Sequence, residues 1–282
     1  MQIIRSVDTL KQLIRTWKQQ GDTIGFVPTM GNLHAGHLSG VEQAQQQADK
    51  SVVSIYVNPL QFNQSKDFTT YPRTLETDQQ KLIAQGADCL FIPSTDVIYP
   101  RPLETMTRVE VPGYSDILCG QFRPGHFVGV ATIVTKLINI VGPDVLVLGN
   151  KDYQQQFVIR RMVEDLSLSV KIAGLPTVRE DDGLAMSSRN RLLSQKERQT
   201  APMIYRILQQ TAQQLKAGQV NYSELEQTGL DWLHESGFNT DYLSIRHQHD
   251  LTEPQQPVDY TQLVVLAAAT LGQTRLIDNI IL

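Results

Sequence analysis

The sequence predicts an α/β fold built on a parallel sheet, followed by a smaller α+β domain. Short apolar runs typical of buried strands alternate with helical segments as far as Gly174, and this alternation favours parallel strands joined by right-handed crossovers. After the junction at 175–177 the pattern changes to two helices followed by three strand-like runs. We therefore expect a Rossmann-like doubly wound sheet in residues 1–175 and a smaller α+β domain in residues 176–282.

Each element of the first domain has its own signal. Apolar residues at helical spacing around Leu10 and Trp17 predict a first helix, with Asp8 as its cap and Gly21 as its stop. Apolar runs predict buried parallel strands at 23–27, 51–57, 89–92, 144–148 and 170–173. Helices are predicted between them at 38–48, at 74–85, from just after His126 to 141, and up to 166.

The second domain begins with a polar segment at 178–190. Because this segment has no apolar periodicity, we expect residues 180–188 to be mobile when the site is empty. Ser194 and Glu197 form a capping-box pattern that predicts one long helix to about Lys216, and a second helix is predicted at 222–236. Strands are predicted at 242–246, 263–269 and 274–281.

Composition narrows the class of protein. The 282 residues are 41% hydrophobic and 19% charged, with a formal net charge of −4 and a pI of about 5.9, which argues against a nucleic-acid partner. Cys89 and Cys119 are the only cysteines, as is typical of a reducing compartment. Residues 1–20 lack the apolar core of a secretory signal. The apolar stretch at 263–271 is far shorter than the ~20 residues that span a bilayer, so we expect a cytoplasmic protein with no membrane partner.

The most informative stretch is the loop at 28–37, which joins a predicted strand to a predicted helix. Such a turn directs backbone N–H groups and the positive end of a helix at a ligand, and this arrangement suits phosphate. Gly31 and Gly36 allow close approach of the backbone, and His34 and His37 add ring nitrogens. Two histidines at this spacing can also be half of a zinc site, so phosphate and metal both remain open from these residues alone.

Two further groups can bind phosphate. Lys151 follows a predicted strand, and residues 186–189 place two hydroxyls beside a guanidinium, which can hold a polyphosphate. Taken singly, each group is also compatible with an ordinary exposed loop. No P-loop and no GxGxxG pattern occurs in the chain, so an ordinary NTPase or dinucleotide-binding domain is not expected.

Six motifs occur in one order along the chain: PTMGNLHAGH, VNPLQF, YPRTLETD, RPGHFVGVATIVTKL, GNKDYQQ and TVREDDGLAMSSRN. Together they resemble the pantoate–β-alanine ligases, the pantothenate synthetase family of the HxGH nucleotidylyltransferase superfamily. The resemblance is strongest over residues 27–191. HxGH alone is shared with several nucleotidyl-transferring families, whereas VNPLQF, KDYQQ and DGLAMSSRN are far more specific.

The resemblance implies an ATP-dependent condensation of (R)-pantoate with β-alanine through enzyme-bound pantoyl adenylate, with release of AMP and pyrophosphate. It implies His37, His34 and Lys151 as catalytic residues, with His37 as the proton donor. It also implies a set of ATP-binding residues, comprising Met30, Gly31, Asn32, Leu33, His34, Ala35, Gly36, His37, Gly149, Asn150, Lys151, Asp152, Val178, Met186, Ser187, Ser188 and Arg189.

Gln61 and Gln155 match the residues that hold pantoate, and Gln61 also extends toward β-alanine. Weaker matches to the pocket wall are Asn58, Arg123 and His126. Mg²⁺ is expected to accompany ATP. Asp78 and Asp152 are possible outer partners of that ion, and no metal ligand is assigned.

The resemblance makes the second domain a lid over ATP, and we expect a homodimer. Asn150 and Ala35 stand where the family usually has other residues, which affects expected affinity rather than the reaction. Two alternatives remain open. A sister nucleotidylyltransferase would stop after nucleotidyl transfer, and a nucleotide sensor would bind ATP without turnover.

Overall fold

The computed structural model describes residues 1–62, 65–255 and 257–282. The chain divides into two compact units, Met1–Pro176 and Thr177–Leu282. None of the helices in the described ranges is long and apolar enough to cross a membrane.

The first unit contains six parallel strands. These are β1 (Gln2–Ile4), β2 (Ile24–Thr29), β3 (Lys50–Ile55), β4 (Cys89–Phe91), β5 (Val145–Gly149) and β6 (Lys171–Leu175). Its helices are α1 (Val7–Gln19), α2 (Ala35–Gln47), α3 (Ser65–Thr70), α4 (Leu75–Ala84), α5 (Thr95–Ile98), α6 (Cys119–Phe122), α7 (His126–Val141) and α8 (Tyr153–Asp165).

The strands lie in the order β1-β4-β3-β2-β5-β6. The chain therefore builds outward in one direction from β2 through β3 and β4, and in the other from β5 to β6. Between β2 and β5, where Phe26 pairs with Leu146, the order reverses. Ligands of doubly wound sheets bind beyond the carboxyl ends of the strands at such a switch point. The loops that follow β2 and β5 contain the predicted phosphate-binding residues of this unit.

The central strands are buried on both faces, as is typical of a parallel sheet covered by helices on two sides. Phe26 and Leu146 are fully buried, as are Val52 and Val53 on β3, so the strands are apolar on both faces, as helices on the two sides of a parallel sheet require. At Gly25 an added Cβ would lie 2.8 Å from the carbonyl oxygen of Ala44 on α2. This glycine thus allows α2 to pack directly against β2.

The second unit is a layer of helices on a three-stranded antiparallel sheet. Its elements are α9 (Gln195–Thr200), α10 (Met203–Lys216), α11 (Tyr222–Glu235), β7 (Asn239–His247), β8 (Leu263–Leu271) and β9 (Thr274–Ile281). The strand order is β7-β8-β9. The core joins buried residues of α10 and α11, such as Leu208 and Leu233, to Val265 and Ala267 of β8. Burial of this apolar surface stabilises the unit.

The predicted fold class is confirmed, whereas several details were wrong, and the short helices α3, α5 and α6 were not predicted. Ser6 rather than Asp8 is the N-cap of α1, because its side chain accepts from the backbone of Thr9, while Asp8 lies in the first turn. Strand β1 was not predicted, because three residues beside a basic segment carry little periodic signal. The helix predicted from 194 to 216 is two helices, and Pro202 lies between them, where its missing N–H cannot continue the ladder. The predicted capping box of Ser194 and Glu197 is present.

Candidate active site

The loop after β2 is held by a buried carboxylate. Asp78 on α4 is 1% exposed, and its two oxygens accept from the backbone N–H groups of Asn32 at 2.7 Å and Leu33 at 2.8 Å. One turn later, Lys81 donates to the carbonyl of Leu33 at 2.6 Å. Gly31 has a φ of 81°, and a Cβ there would lie 3.2 Å from Asp78 Oδ2. The loop thus takes a left-handed turn that needs glycine and is anchored to α4.

His34 and His37 lie together at the start of α2. The Nδ1 atom of His37 accepts a hydrogen bond from the backbone N–H of His34 at 3.3 Å, and the ring centroids are 4.0 Å apart. Because Nδ1 accepts, the neutral His37 ring carries its proton on Nε2. The Nδ1 atom of His34 is buried and has no hydrogen-bond partner among the described residues. Such an atom is costly to bury, as expected of a site that a ligand completes.

The electrostatic environment keeps both rings neutral. Burial lowers the pKa of His37 to about 4, with Lys151 and Lys81 acting in the same direction and Asp152 in the opposite one. Burial, His37 and Lys151 lower the pKa of His34 to about 3. Near neutral pH the pair is uncharged, so the loop presents hydrogen-bond donors without fixed charge on the rings. A bound anion would stabilise the protonated forms and raise both pKa values.

The loop after β5 brings Lys151 and Asp152 to the same end of the sheet. Both influence the pKa values of the histidine pair, which places the two loops in one electrostatic environment. The Nζ atom of Lys151 lies 3.7 Å from Asp152 Oδ2. Asn150 accepts from Gln156 Nε2 at 2.8 Å, and a Cβ at Gly174 would lie 2.6 Å from Asn150 Oδ1. Asn150 is therefore fixed between α8 and β6.

Gln61 lies in a short turn after β3 that other predicted residues hold in place. Its carbonyl oxygen accepts from His126 Nδ1 at 2.8 Å and from Arg123 at 3.3 Å. Arg123 also lies 3.2 Å from His126 Nε2, which requires that nitrogen to accept. The side chain of Gln61 contacts Asn58 at 3.2 Å and the Met30 sulfur at 2.8 Å. The structure thus brings Met30, Asn58, Arg123 and His126 together around Gln61.

Gln155 is half-buried on α8, between two glutamines with a different use. Gln154 is buried and binds the backbone of Cys119, Tyr114 and Ile117. Gln156 is buried and donates to the carbonyl of Leu148 and to Asn150. The two flanking amides are therefore structural, whereas no hydrogen bond from the Gln155 side chain to another described residue occurs.

In the second unit the predicted ATP-binding residues share one hairpin. The backbone N–H of Met186 donates to the carbonyl of Val178 at 3.0 Å, and Arg179 bridges to Ala185. The hydroxyl of Ser187 accepts from the backbone N–H of Arg189 at 3.2 Å, which starts the turn at Ser188–Leu192. Val178, Met186, Ser187, Ser188 and Arg189 are therefore close neighbours.

A buried ion pair anchors that hairpin. The guanidinium of Arg179 binds Asp278 of β9 at 2.6 and 3.0 Å and the carbonyl of Gly183 at 3.0 Å. The Cζ atom of the Arg179 guanidinium lies 3.5 Å from the ring centroid of Tyr205. In the same hairpin, the side chain of Leu184 is buried. The segment expected to be mobile when the site is empty thus forms a closed turn with its own apolar anchor. Its mobility remains a prediction.

Nothing in the described ranges adds a third His, Cys, Asp or Glu to the histidine pair to form a metal-binding group. Both oxygens of Asp78 already accept from backbone amides. Asp152, whose side chain is 44% exposed, is the better placed of the two predicted outer partners of Mg²⁺. Mg²⁺ is commonly held by one or two carboxylates together with substrate phosphates, and this donor set fits that mode.

A family model described as pantoate-beta-alanine ligase matches residues 2–281. The chain belongs to the pantoate–β-alanine ligase family. It is 52% identical over 276 residues to the pantothenate synthetase of Shewanella sp. (strain MR-7), covering 97% of this chain and 96% of that protein. The predicted family and the prediction of a ligase are therefore confirmed.

Solved structures of the ligase family have the same fold. Pantothenate synthetase from Thermus thermophilus superposes with a TM-score of 0.92 at 40% identity, covering 100% of this chain and 99% of that one. The pantoate-beta-alanine ligase of Francisella tularensis, solved with beta-gamma ATP and β-alanine, gives 0.81 at 35% identity, covering 100% and 97%.

The sequence analysis missed residues that hold the predicted site residues in place through hydrogen bonds. Lys81 and Tyr99, which binds Asn58 at 2.9 Å, were not singled out, and Asp78 was considered only for metal. For Lys81 a signal existed, since it lies three residues after Asp78 and thus on the same face of α4. Tyr99 offered none, because its partner lies 41 residues away in the chain.

Proposed function

We propose that the chain condenses (R)-pantoate with β-alanine to form pantothenate, consuming ATP and releasing AMP and pyrophosphate. In the first step the pantoate carboxylate attacks the α-phosphorus of ATP, giving pantoyl adenylate and pyrophosphate. In the second step the amine of β-alanine attacks the acyl carbon and displaces AMP. The observation that carries the proposal is the match to the ligase family over residues 2–281, and the polar groups at the switch point support it.

The proposal assigns the triphosphate to the loops after β2 and β5. His37 Nε2, His34 and Lys151 Nζ stabilise the negative charge that develops on the α-phosphate, a contribution that positioned donors make without reorganisation. His37 acts from its neutral form as a hydrogen-bond donor through Nε2, and this donation is proposed to be the proton-donor role that the resemblance implies for it. The remaining residues of 30–37 and 149–152 line the nucleotide.

Gln61 and Gln155 are proposed to bind pantoate, with Gln61 also near β-alanine. Two observations favour this assignment. The backbone carbonyl of Gln61 is held by His126 and Arg123, so the position of this residue beyond β3 is fixed. Gln155 has no structural task of the kind that occupies Gln154 and Gln156.

The second unit is proposed to close over the triphosphate as a lid, through Val178, Met186, Ser187, Ser188 and Arg189. Closure would exclude water from the acyl adenylate, whose hydrolysis wastes ATP. Mg²⁺ is proposed to enter with ATP, with Asp152 as its nearest protein carboxylate, and to neutralise phosphate charge. The proposal also includes a cytoplasmic location and a homodimer, and light scattering after size exclusion tests the dimer directly.

The experiment that tests the reaction omits each substrate in turn. ATP with pantoate alone should release about one pyrophosphate per site, and AMP should appear only after β-alanine is added. Isotope exchange between pyrophosphate and ATP should require pantoate and no amine. Exchange that depends on β-alanine would exclude the adenylate mechanism. Nucleotidyl transfer without pantothenate would indicate a sister transferase, and ATP binding without turnover a sensor.

A further inference from the structure

The side-chain amide of Gln61 can present either a hydrogen-bond acceptor or a hydrogen-bond donor to a ligand. Its Oε1 atom accepts hydrogen bonds and its Nε2 atom donates them, so a rotation of the amide by half a turn changes what the site recognises. A carboxylate of pantoate only accepts, so it needs the donor. Some part of the structure must therefore fix the orientation of this amide.

The orientation follows from Asn58, whose own amide is fixed by groups that have only one role. The carbonyl of Gly129 can only accept, and Asn58 Nδ2 lies 3.0 Å from it. The backbone N–H of Leu60 can only donate, and it lies 3.4 Å from Asn58 Oδ1. Asn58 Nδ2 also contacts Gln61 Oε1 at 3.2 Å. Gln61 consequently directs Nε2 away from Asn58, toward Met30.

The strongest contact to Asn58 Oδ1 comes from outside this loop. The hydroxyl of Tyr99 donates to Asn58 Oδ1 at 2.9 Å, and both residues are buried, at 4% and 1% exposed. Burial and the nearby Tyr56 raise the pKa of Tyr99, so its hydroxyl keeps its proton and remains a donor. Without it, the buried Oδ1 atom would keep only the long contact from Leu60.

The close packing around this contact leaves little alternative. An added Cβ at Gly129 would lie 2.3 Å from the carbonyl oxygen of Leu60, so α7 and the turn at Pro59–Gln61 touch through their backbones. The Asn58 side chain lies in that contact, where there is little room for it to rotate. Its hydrogen bonds are therefore strong constraints on direction.

We propose that Tyr99 is a positioning residue for Gln61, which it acts upon through Asn58. The contacts from Tyr99 to Asn58 and from Asn58 to Gln61 hold Nε2 on the side of Met30 rather than Asn58, and the site thereby offers a donor to an acid with an oxygen that accepts. The inference rests on the proposed role of Gln61 in binding pantoate. Tyr99 itself need not touch any substrate.

Tyr99→Phe tests the inference, since it removes one hydroxyl and keeps the ring. The loss of one neutral hydrogen bond corresponds to roughly 3- to 10-fold in affinity. We expect the Kd for pantoate, measured by calorimetry, and the KM for pantoate to rise by about that factor, while the KM for ATP stays within about twofold. Tyr56→Phe is the matched control, because its ring lies 6.3 Å from that of Tyr99 and its hydroxyl makes no hydrogen bond to Asn58 in the described ranges.

A double-mutant cycle separates positioning from a general loss of packing. In an Asn58→Ala background, Tyr99→Phe should cause no further loss of pantoate affinity, because the intermediate contact is absent. Fully additive losses would overturn the inference. So would an unchanged pantoate Kd in Tyr99→Phe, or equal losses for ATP and pantoate with a lowered Tm.

A second readout does not depend on the reaction. The ¹⁵N-labelled side-chain amide signal of Gln61, assigned by its disappearance in Gln61→Glu, should shift in Tyr99→Phe and not in Tyr56→Phe. If the wild-type chain made no pantothenate, the proposed function would fail while this signal still decided the positioning role. An unshifted signal would overturn that role.

Discussion

The Nδ1 atom of His37 accepts a hydrogen bond from the backbone N–H of His34 at 3.3 Å, and this contact fixes the ring proton of His37 on Nε2. Histidine thereby becomes a donor of defined direction in a loop whose backbone is fixed by Asp78. A neutral donor needs no proton from solution, so adenylation should proceed at pH values well above the ordinary pKa of histidine.

His37→Ala should lower kcat for adenylation by roughly 10²–10³-fold, as is typical when one positioned donor is removed. The KM for pantoate should change much less. His37→Gln, whose amide can donate from a similar position, should recover part of the loss. Pre-steady-state release of pyrophosphate measures the step, and near-normal adenylation in His37→Ala would remove the residue from the mechanism.

Lys151→Met should lower the same rate constant and also raise the pKa of His37, because Lys151 helps to lower it. The ring proton signals of His37 followed by NMR measure that shift. Lys50→Met, which removes a lysine paired with Asp22 at 3.8 Å, is the control and should leave both quantities unchanged.

The histidine pair should also make stability depend on pH. Both folded pKa values lie below the unfolded value of 6.5, at about 3 and about 4, so the unfolded chain binds more protons between those limits. The free energy of unfolding should therefore fall as pH decreases from about 6.5 toward 4. Urea titrations of a His34→Asn/His37→Asn variant should show a flatter dependence than wild type, whereas His234→Asn, at an exposed position, should not. Equal slopes in all three proteins would contradict the assignment.

The strands and loops that carry this site can mostly be predicted from local sequence. The long-range hydrogen bonds that hold those loops in place cannot. Period and burial in β2, the glycines of the loop and the position of Lys151 after β5 are local signals, and the structure bears out the strands that carry them. Asp78 and Lys81 on α4 hydrogen-bond to the backbone of the loop after β2. Tyr99 donates a hydrogen bond to Asn58, which lies 41 residues away in the chain. Such contacts depend on tertiary packing between residues that are far apart in the chain, so a short stretch of sequence does not reveal them. For the same reason Arg179 and Asp278, 99 residues apart, could not be paired in advance.

Asp78→Ala should weaken ATP binding and lower stability, because two buried N–H groups lose their acceptor at about 1–3 kcal/mol each. Asp78→Asn, which keeps one acceptor oxygen, should be intermediate. If Asp78 acts through the loop, the concentration of Mg²⁺ at half-maximal rate should not change in either variant. Restoration of activity by excess Mg²⁺ would instead make Asp78 a metal partner. Thermal unfolding and the KM for ATP provide the two readouts.

If the second unit closes as the proposed lid, its hairpin allows us to predict which amides will report closure in amide exchange. The N–H groups of Glu180, Gly183 and Met186 donate to backbone carbonyls, so within residues 180–188 they should exchange the most slowly in both states. Slowing on addition of a non-hydrolysable ATP analogue and pantoate should concentrate at the exposed Asp181 and Asp182. Amide exchange that is the same with and without the ligands would leave the segment as a static loop.

Ser188→Ala and Arg189→Ala should weaken ATP binding and increase the release of pyrophosphate that is not coupled to pantothenate, because an open site admits water to the acyl adenylate. The ratio of pyrophosphate to pantothenate measures the coupling. Arg206→Ala is the control, since it removes a guanidinium at an exposed position of α10 in the same unit and should leave the ratio near one. Intact coupling and ATP affinity in both hairpin variants would take Ser188 and Arg189 out of the site, since a residue that closes over the triphosphate cannot be silent in both measurements.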